Sequence, residues 1–319
     1  MRYPELDERK LLVRIAEMYY QESKTQSQIS KELNIHRTTI SRLLKQSRDE
    51  GIVEIIINYD KAGNYGLEQD LESSFGLQKA IVISTAKELD RNQKDNMLAK
   101  SLGDYLETIL KDKMKIGFSW GETMAVVSKN MPRLILPETI CVPVIGGPAG
   151  RLVSDFHVNT ITYEAAKMIH GKAKLIDAPA ILETSSLKEE LLKSDFNQEI
   201  LSLWGQLDIV IMGIGSPILM NNQTWSDFYG KDIIDQVSEQ DMVGDVVSRF
   251  YNRQGEHIVS DLDDRIIGIS ISQLQKCPYR IGIASSREKV DAIVGALKGQ
   301  YINILVTTEE TARRLIESK

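Results

Sequence analysis

Cysteine is scarce in this sequence: its 319 residues include two, Cys141 and Cys277. They stand in no metal-ligand spacing and build no disulfide framework, which fits a reducing cytoplasm and excludes a stapled or zinc-held fold. Histidine is nearly as rare. His36, His157, His170 and His257 are scattered and form no cluster for a metal or a nucleophile, so each reads as a surface or capping residue. No Ser/His/Asp or Cys/His constellation, Walker A loop or GxGxxG fingerprint stands out. No apolar run approaches the roughly 20 residues that cross a bilayer. The opening "MRYPELDERKLLVRIAEMYY" carries charges throughout, unlike a signal peptide. A net charge of −6 excludes a protein that coats nucleic acid over its whole surface.

What is present is ordinary in bulk and uneven in detail. Hydrophobic residues make up 42% and charged residues 26%, enough for a sizeable core in a chain long enough for two domains. Charge is locally biased: between Lys24 and Arg48 six basic residues stand against Glu32 alone. That is a footprint for a polyanion, with a solvated helix face as the plain alternative.

The N-terminal pattern is helical. Leu11, Leu12, Ile15, Met18 and Tyr19 give residues 8–23 an amphipathic spacing. Thr25 is placed to cap a second helix, with Gln28 completing a capping box. Ile29 and Leu33 share one face of that short helix, and Asn34 suits the tight turn that ends it. A longer helix follows, with Ile40, Leu43 and Leu44 inward and Arg37, Thr38, Ser41 and Arg42 outward. Gly51 stops it, and "IVEIIIN" reads as a short strand. This is the layout of a helix-turn-helix, whose second helix enters the major groove. Arginine binds guanine through two hydrogen bonds, and threonine meets a thymine methyl or a base edge. Arg37, Thr38, Thr39, Ser41 and Arg42 supply that chemistry. Lys24, Lys31, Lys45 and Arg48 suit phosphates, which position without specifying sequence. His36 is a poor N-cap for the reading helix. An ordinary helical hairpin has the same period, but not the whole combination.

Beyond "YDKAGNYG", which marks a boundary, short β-branched runs alternate with helical stretches: "AIVIS", "IGFS", "ICVPVIG", "DIVIMG", "RIGIAS" and "INILVT". Such alternation predicts an α/β fold with a mostly parallel sheet, and right-handed crossovers place the strand C-termini and ligand on one edge. The reading is thus a helix-turn-helix domain over residues 1–58 and a larger effector and oligomerisation domain over 59–319.

The sequence resembles the SorC-family transcriptional regulators over nearly its whole length. The likeness rests on "TQSQISKELNIHRTTISRLLKQSRDEGIVEI" and on the ordered motifs "IGFSWGETM", "VPVIGG", "VNTITYEAAKMI", "DIVIMGIGS", "VGDVVSRFYNRQGEHI" and "REKVDAIVGALKGQYINILVTTEETARRLI". It implies a DNA-binding domain fused to a Rossmann-like, three-layer effector domain similar to sugar-phosphate isomerases and glucosamine-6-phosphate deaminase. It further implies a sugar or sugar-phosphate ligand and homo-oligomers, often tetramers, on double-stranded palindromic operators. No cofactor, metal or membrane is implied.

Several loops offer ligand contacts at the sheet edge. In "GFSWGETM", the N–H groups at 121–123 and the hydroxyls of Ser119 and Thr123 suit a phosphate at a helix N-terminus, and Gly121 permits close backbone approach. Glu122, inside that loop, opposes a phosphate unless it points away. Gly146 and Gly147 end a strand, as a tight turn or a ligand contact. Asn159 caps a helix or meets a sugar hydroxyl, and Gly213, Gly215 and Ser216 form another strand-end loop. Asp208 reads as a structural residue at a strand start. By resemblance, Asp245 matches the carboxylate that meets the sugar and Lys289 the lysine near its phosphate, with Arg287 close by. A turn aspartate and a solvated helix lysine are their plain alternatives. The family often has glycine where Ser285 and Ser286 stand. An isomerase or deaminase is the rival function, with Asp245 and Lys289 as base and electrophile. Fusion to a DNA reader favours a sensor without catalytic residues.

Overall fold

The computed structural model describes residues 8–55, 64–86, 89–148, 153–217, 228–229 and 231–318. The chain divides into two compact units, Met1–Asn58 and Tyr59–Lys319.

In the first unit, helix α1 (Glu8–Ala16) runs on into a turn of π-helix (Glu17–Gln21), so the expected single helix changes its winding midway. Helices α2 (Gln26–Leu33) and α3 (Arg37–Asp49) follow. Thr25 and Gln28 form the expected reciprocal cap: Gln28 N–H donates to Thr25 Oγ1 at 3.3 Å, and Thr25 N–H to Gln28 Oε1 at 2.8 Å. Asn34 takes the left-handed conformation (φ 53°) that ends α2. Ser30 Oγ donates to the Ile35 carbonyl at 2.6 Å and tightens the turn. Leu12, Ile15, Met18, Ile29, Ile40, Leu43 and Leu44 form one buried cluster. Of the expected strand over 52–58, residues 52–55 are not in a strand, and 56–58 lie outside the described residues.

The second unit is built on a parallel sheet of β1 (Lys79–Ile83), β2 (Lys115–Phe118), β3 (Ile140–Pro143), β4 (Lys172–Ala173), β5 (Ile209–Gly213), β8 (Tyr279–Ile283) and β9 (Ile304–Thr308). Their order is β1-β9-β8-β5-β2-β3-β4. Successive strands progress outward from β2 through β3 and β4, then from β5 back through β8 and β9. The order therefore reverses between β2 and β5, where a doubly wound sheet opens a crevice.

Alternation along the strands makes the layers. Ile209 and Ile211 join Ile116, Phe118 and Ile283 in one core, covered by α5 (Arg91–Ile109), α6 (Glu122–Lys129) and α7 (Val158–Met168). Val210 and Met212 face the other core. That side holds α4 (Tyr65–Phe75), α8 (Ser185–Leu192), α9 (Asp195–Trp204), α10 (Lys231–Ser238), α11 (Ile271–Lys276), α12 (Val290–Lys298) and α13 (Glu309–Glu317). A hairpin of β6 (Met242–Val246) and β7 (Arg249–Asn252) forms a separate antiparallel pair. Asp208, as read from sequence, is structural: its carboxylate accepts the Lys115 N–H at 2.8 Å at the start of β2.

Candidate functional site

The exposed face of α3 is set by what that helix buries. Ile40, Leu43, Leu44 and Ser47 face the core of the first unit. Arg37, Thr38, Ser41, Arg42, Lys45 and Arg48 are therefore exposed together on the opposite side, with Thr39 half-buried at its margin. His36 precedes the helix without a side-chain cap bond. Lys31 is exposed on α2. Lys24 is differently employed: its Nζ lies 3.0 Å from Glu22 and 2.6 Å from Glu32, so its charge is already matched.

In the second unit, the strand C-termini converge on a cleft of about 550 Å³. Thr85 follows β1, Ser216 β5, Ser285 and Ser286 β8, and Thr308 ends β9. Thr123 comes from the first turn of α6, and Lys289 precedes α12. Arg91, Lys94, Arg287 and Arg314 add positive charge to the walls, against Asp95, Glu288 and Glu310.

The other anticipated residues fall into groups. Ser119, 3% exposed, stitches β2 to β5 by accepting the Gly213 N–H at 3.4 Å. Gly121 starts α6 at φ 113°, a conformation open to glycine, and its N–H donates to the Phe156 carbonyl at 3.3 Å. Glu122 pairs with the cleft residue Arg91, Nη2 to Oε2 at 3.2 Å, and its charge also acts on Lys289, so it faces the basic side of the cleft. Gly146 and Gly147 lie off the cleft wall, bonded to the Ile267 and Ala178 carbonyls at 2.9 and 2.8 Å. Asn159 corrects the capping expectation. His157 caps α7, accepting the Asn159 N–H, while the Asn159 amide bonds the Ile176 backbone through both ends at 3.0 and 3.1 Å.

Asp245 lies within β6 rather than in a turn. The turn comes two residues later, where Val247 and Ser248 both have positive φ. A β-branched residue resists that conformation. The turn is held because Ser248 N–H donates to Asp245 Oδ2 at 3.1 Å and Ser248 Oγ pairs with Tyr229 Oη at 2.8 Å. Gly215 N–H donates to the Asp245 carbonyl at 3.0 Å, docking the hairpin on the end of β5. Ser286 keeps a glycine-like backbone (φ 119°, ψ 158°) despite its side chain.

Burial raises Asp245 to about 6, against the opposing pull of the Ser248 N–H and of Lys289. Burial lowers Lys289 to about 8, helped by repulsion from Arg91 and opposed by Asp95 and Asp245. Asp95 is raised by burial, while Arg91 and the Thr123 hydroxyl favour its charge. The signs give a stability profile. Asp245 binds its proton more tightly folded than unfolded, where 3.8 applies, so stability falls as pH rises from about 4 to 6. Lys289 holds its proton more tightly unfolded, at 10.5, so stability rises from about 8 to 10.5. Between these windows both charges are present at full cost. Replacing Asp245→Asn and Lys289→Met together is expected to stabilise the unliganded protein by about 1–3 kcal/mol at pH 7. Urea unfolding across these windows should show both slopes flattened; slopes like the parent's contradict the assignment.

Arg91, Lys94, Asp95 and Arg314 are site residues that the sequence reading passed over. The first three had a signal: Asp90 and Gln93 form a capping box that starts α5 just after β1. That puts Arg91 and Asp95, one turn apart, at the ligand edge. Arg314 had none, being one of many charges on α13.

Comparison with known proteins bears on the family of the chain. The sugar-binding domain family (Sugar-bind) matches residues 59–317. The chain is 41% identical over 316 residues to the sorbitol operon regulator of Klebsiella pneumoniae, spanning 98% of this chain and 99% of that one. It is 27% identical over 311 residues to the deoxyribonucleoside regulator of Bacillus subtilis, spanning 97% and 98%. The crystal structure of the full-length sorbitol operon regulator SorC from Klebsiella pneumoniae matches with a TM-score of 0.81 at 39% identity, covering 98% of this chain and 100% of that chain. The chain belongs to the SorC family of transcriptional regulators, with the family's sugar-binding domain over residues 59–317.

Proposed function

We propose that this regulator binds operator DNA through α3 and that a sugar phosphate in the second unit's cleft controls that binding. The observation that carries the reading is the pairing, in one chain, of an exposed Arg37/Thr38/Ser41/Arg42 face with a basic cleft at the strand C-termini. Arg37 and Arg42 read base edges, with Thr38, Thr39 and Ser41 beside them, and Lys31 and Lys45 hold phosphates. Lys24 joins them only by leaving Glu22 and Glu32. Lys289, Thr123 and Arg287, which line the cleft, take the ligand's phosphate, and Asp245, outside that lining but within reach of the Lys289 charge, accepts hydrogen bonds from sugar hydroxyls. Ser119, Gly121, Gly213, Gly215, Gly146, Gly147 and Asn159 are outside the cleft lining and back the loops that form it. The protein works in the cytoplasm as a homo-oligomer, a tetramer by family likeness, that spaces two reading helices by about 34–36 Å or a multiple. Ligand shifts operator affinity by its differential affinity for two arrangements. Asp245 and Lys289 serve as ligand contacts rather than as base and electrophile.

The test is fluorescence anisotropy of DNA from upstream of the gene, titrated over a range of salt. Sequence-selective binding whose logarithm falls linearly with log salt is expected. Sequence-blind or absent binding, together with turnover of a sugar phosphate, would favour the isomerase reading.

A further inference from the structure

Glu122 is out of place beside an anion. It opens α6 where a carboxylate repels phosphate, yet it is held there by Arg91 from a different helix, with Nη2 to Oε2 at 3.2 Å. Arg91 Nε also lies 3.9 Å from Asp95 Oδ2, and Asp95 accepts a hydrogen bond from Thr123 Oγ1 at 3.1 Å. Arg91, Asp95, Thr123 and Lys289 line one cleft. The side chains of Arg91 and Glu122 are 55% and 49% exposed, so solvent screens their pair and leaves it at most about 1 kcal/mol. Arg91 and Lys289 meanwhile repel one another. Two of the cleft's cations thus act on one another, and one of them is tied by a weak bond to a carboxylate that a stronger anion can replace. A planar guanidinium binds phosphate through two hydrogen bonds, which a lysine does not offer.

We infer that Arg91 is an anion-binding residue of the cleft and that Glu122 occupies it until the ligand arrives. A phosphate dianion entering between Lys289 and Thr123 takes Arg91, and Glu122 turns to solvent. A neutral sugar offers Arg91 nothing better than Glu122. The exchange therefore makes the cleft select phosphorylated over unphosphorylated ligands. The inference rests on the cleft being the effector site.

Calorimetric titration of the full-length protein with inorganic phosphate tests it. Glu122→Gln is expected to tighten phosphate binding about three- to fivefold, the worth of the lost competitor. Arg91→Gln is expected to weaken it about tenfold, as for a charged hydrogen bond. With Arg91→Gln already in place, Glu122→Gln is expected to add little. If the parent binds phosphate and Glu122→Gln does not tighten it, the exchange is overturned while the effector cleft stands. A gain of equal size in both backgrounds also overturns it, since Glu122 then acts by plain repulsion. A folded parent that binds no phosphate removes the inference and the cleft's assignment together.

Discussion

Gly215→Ala is expected to abolish the effector response, with at least about a hundredfold loss of ligand affinity, while operator affinity without ligand stays within about twofold. A Cβ at position 215 collides with Asp245 Oδ1 and comes within 3.0 Å of its Cγ. Aspartate is too short to step aside. Its Oδ2 is bonded to the Ser248 N–H, and its own carbonyl accepts the Gly215 N–H. Relief comes from lifting the hairpin off the end of β5, which takes the Asp245 carboxylate with it. A melt of the variant should show a folded protein weakened by about 1–3 kcal/mol, the usual cost of overpacking. Asp245→Asn, which keeps the shape, is expected to lose the response without that loss of stability. A full response in Gly215→Ala would mean that Asp245 does not face the ligand.

The second large effect lies on α3. Arg37→Ala and Arg42→Ala are each expected to cost about 1–3 kcal/mol on the operator and to relax discrimination at one base position. Lys45→Ala should weaken every sequence alike and reduce the salt slope by about one. Neither arginine packs in the core, so folding should be unaffected. Base-substituted operators separate the two kinds of contact. Equal loss on all sequences for Arg37→Ala would move that residue from base reading to phosphate binding.

The sheet strands were legible because buried parallel strands read as unbroken β-branched runs between turn signals, as in "DIVIMG" and "INILVT". The helix-turn-helix was legible for a different reason: Thr25, Gln28 and Asn34 are local signals whose chemistry does not depend on the rest of the chain. The β6–β7 hairpin was not. Its two-residue turn is Val247–Ser248 rather than Asn-Gly, and it is held by Asp245 of the same hairpin and by the distant Tyr229. Nor was β4, two residues long at the sheet edge. In the site, strand-end glycines could be counted but not sorted. Gly215 packs against the buried Asp245 carboxylate, whereas Gly146 and Gly147 are sewn to neighbouring backbone. Asn159 was read as a cap by residue type, and its bonds to the Ile176 backbone decided otherwise.

The central claim is that DNA affinity and sugar-phosphate binding are linked through one chain. Its most direct test is operator anisotropy at fixed salt, with and without each member of a panel of free and phosphorylated sugars, on the parent and on Gly215→Ala. The account predicts that one phosphorylated sugar shifts parent affinity at least about fivefold, the lower range of allosteric coupling. Its unphosphorylated form should shift it less, and neither should act on the variant. A sugar phosphate that binds the parent by calorimetry, yet leaves operator affinity unmoved, would contradict the account.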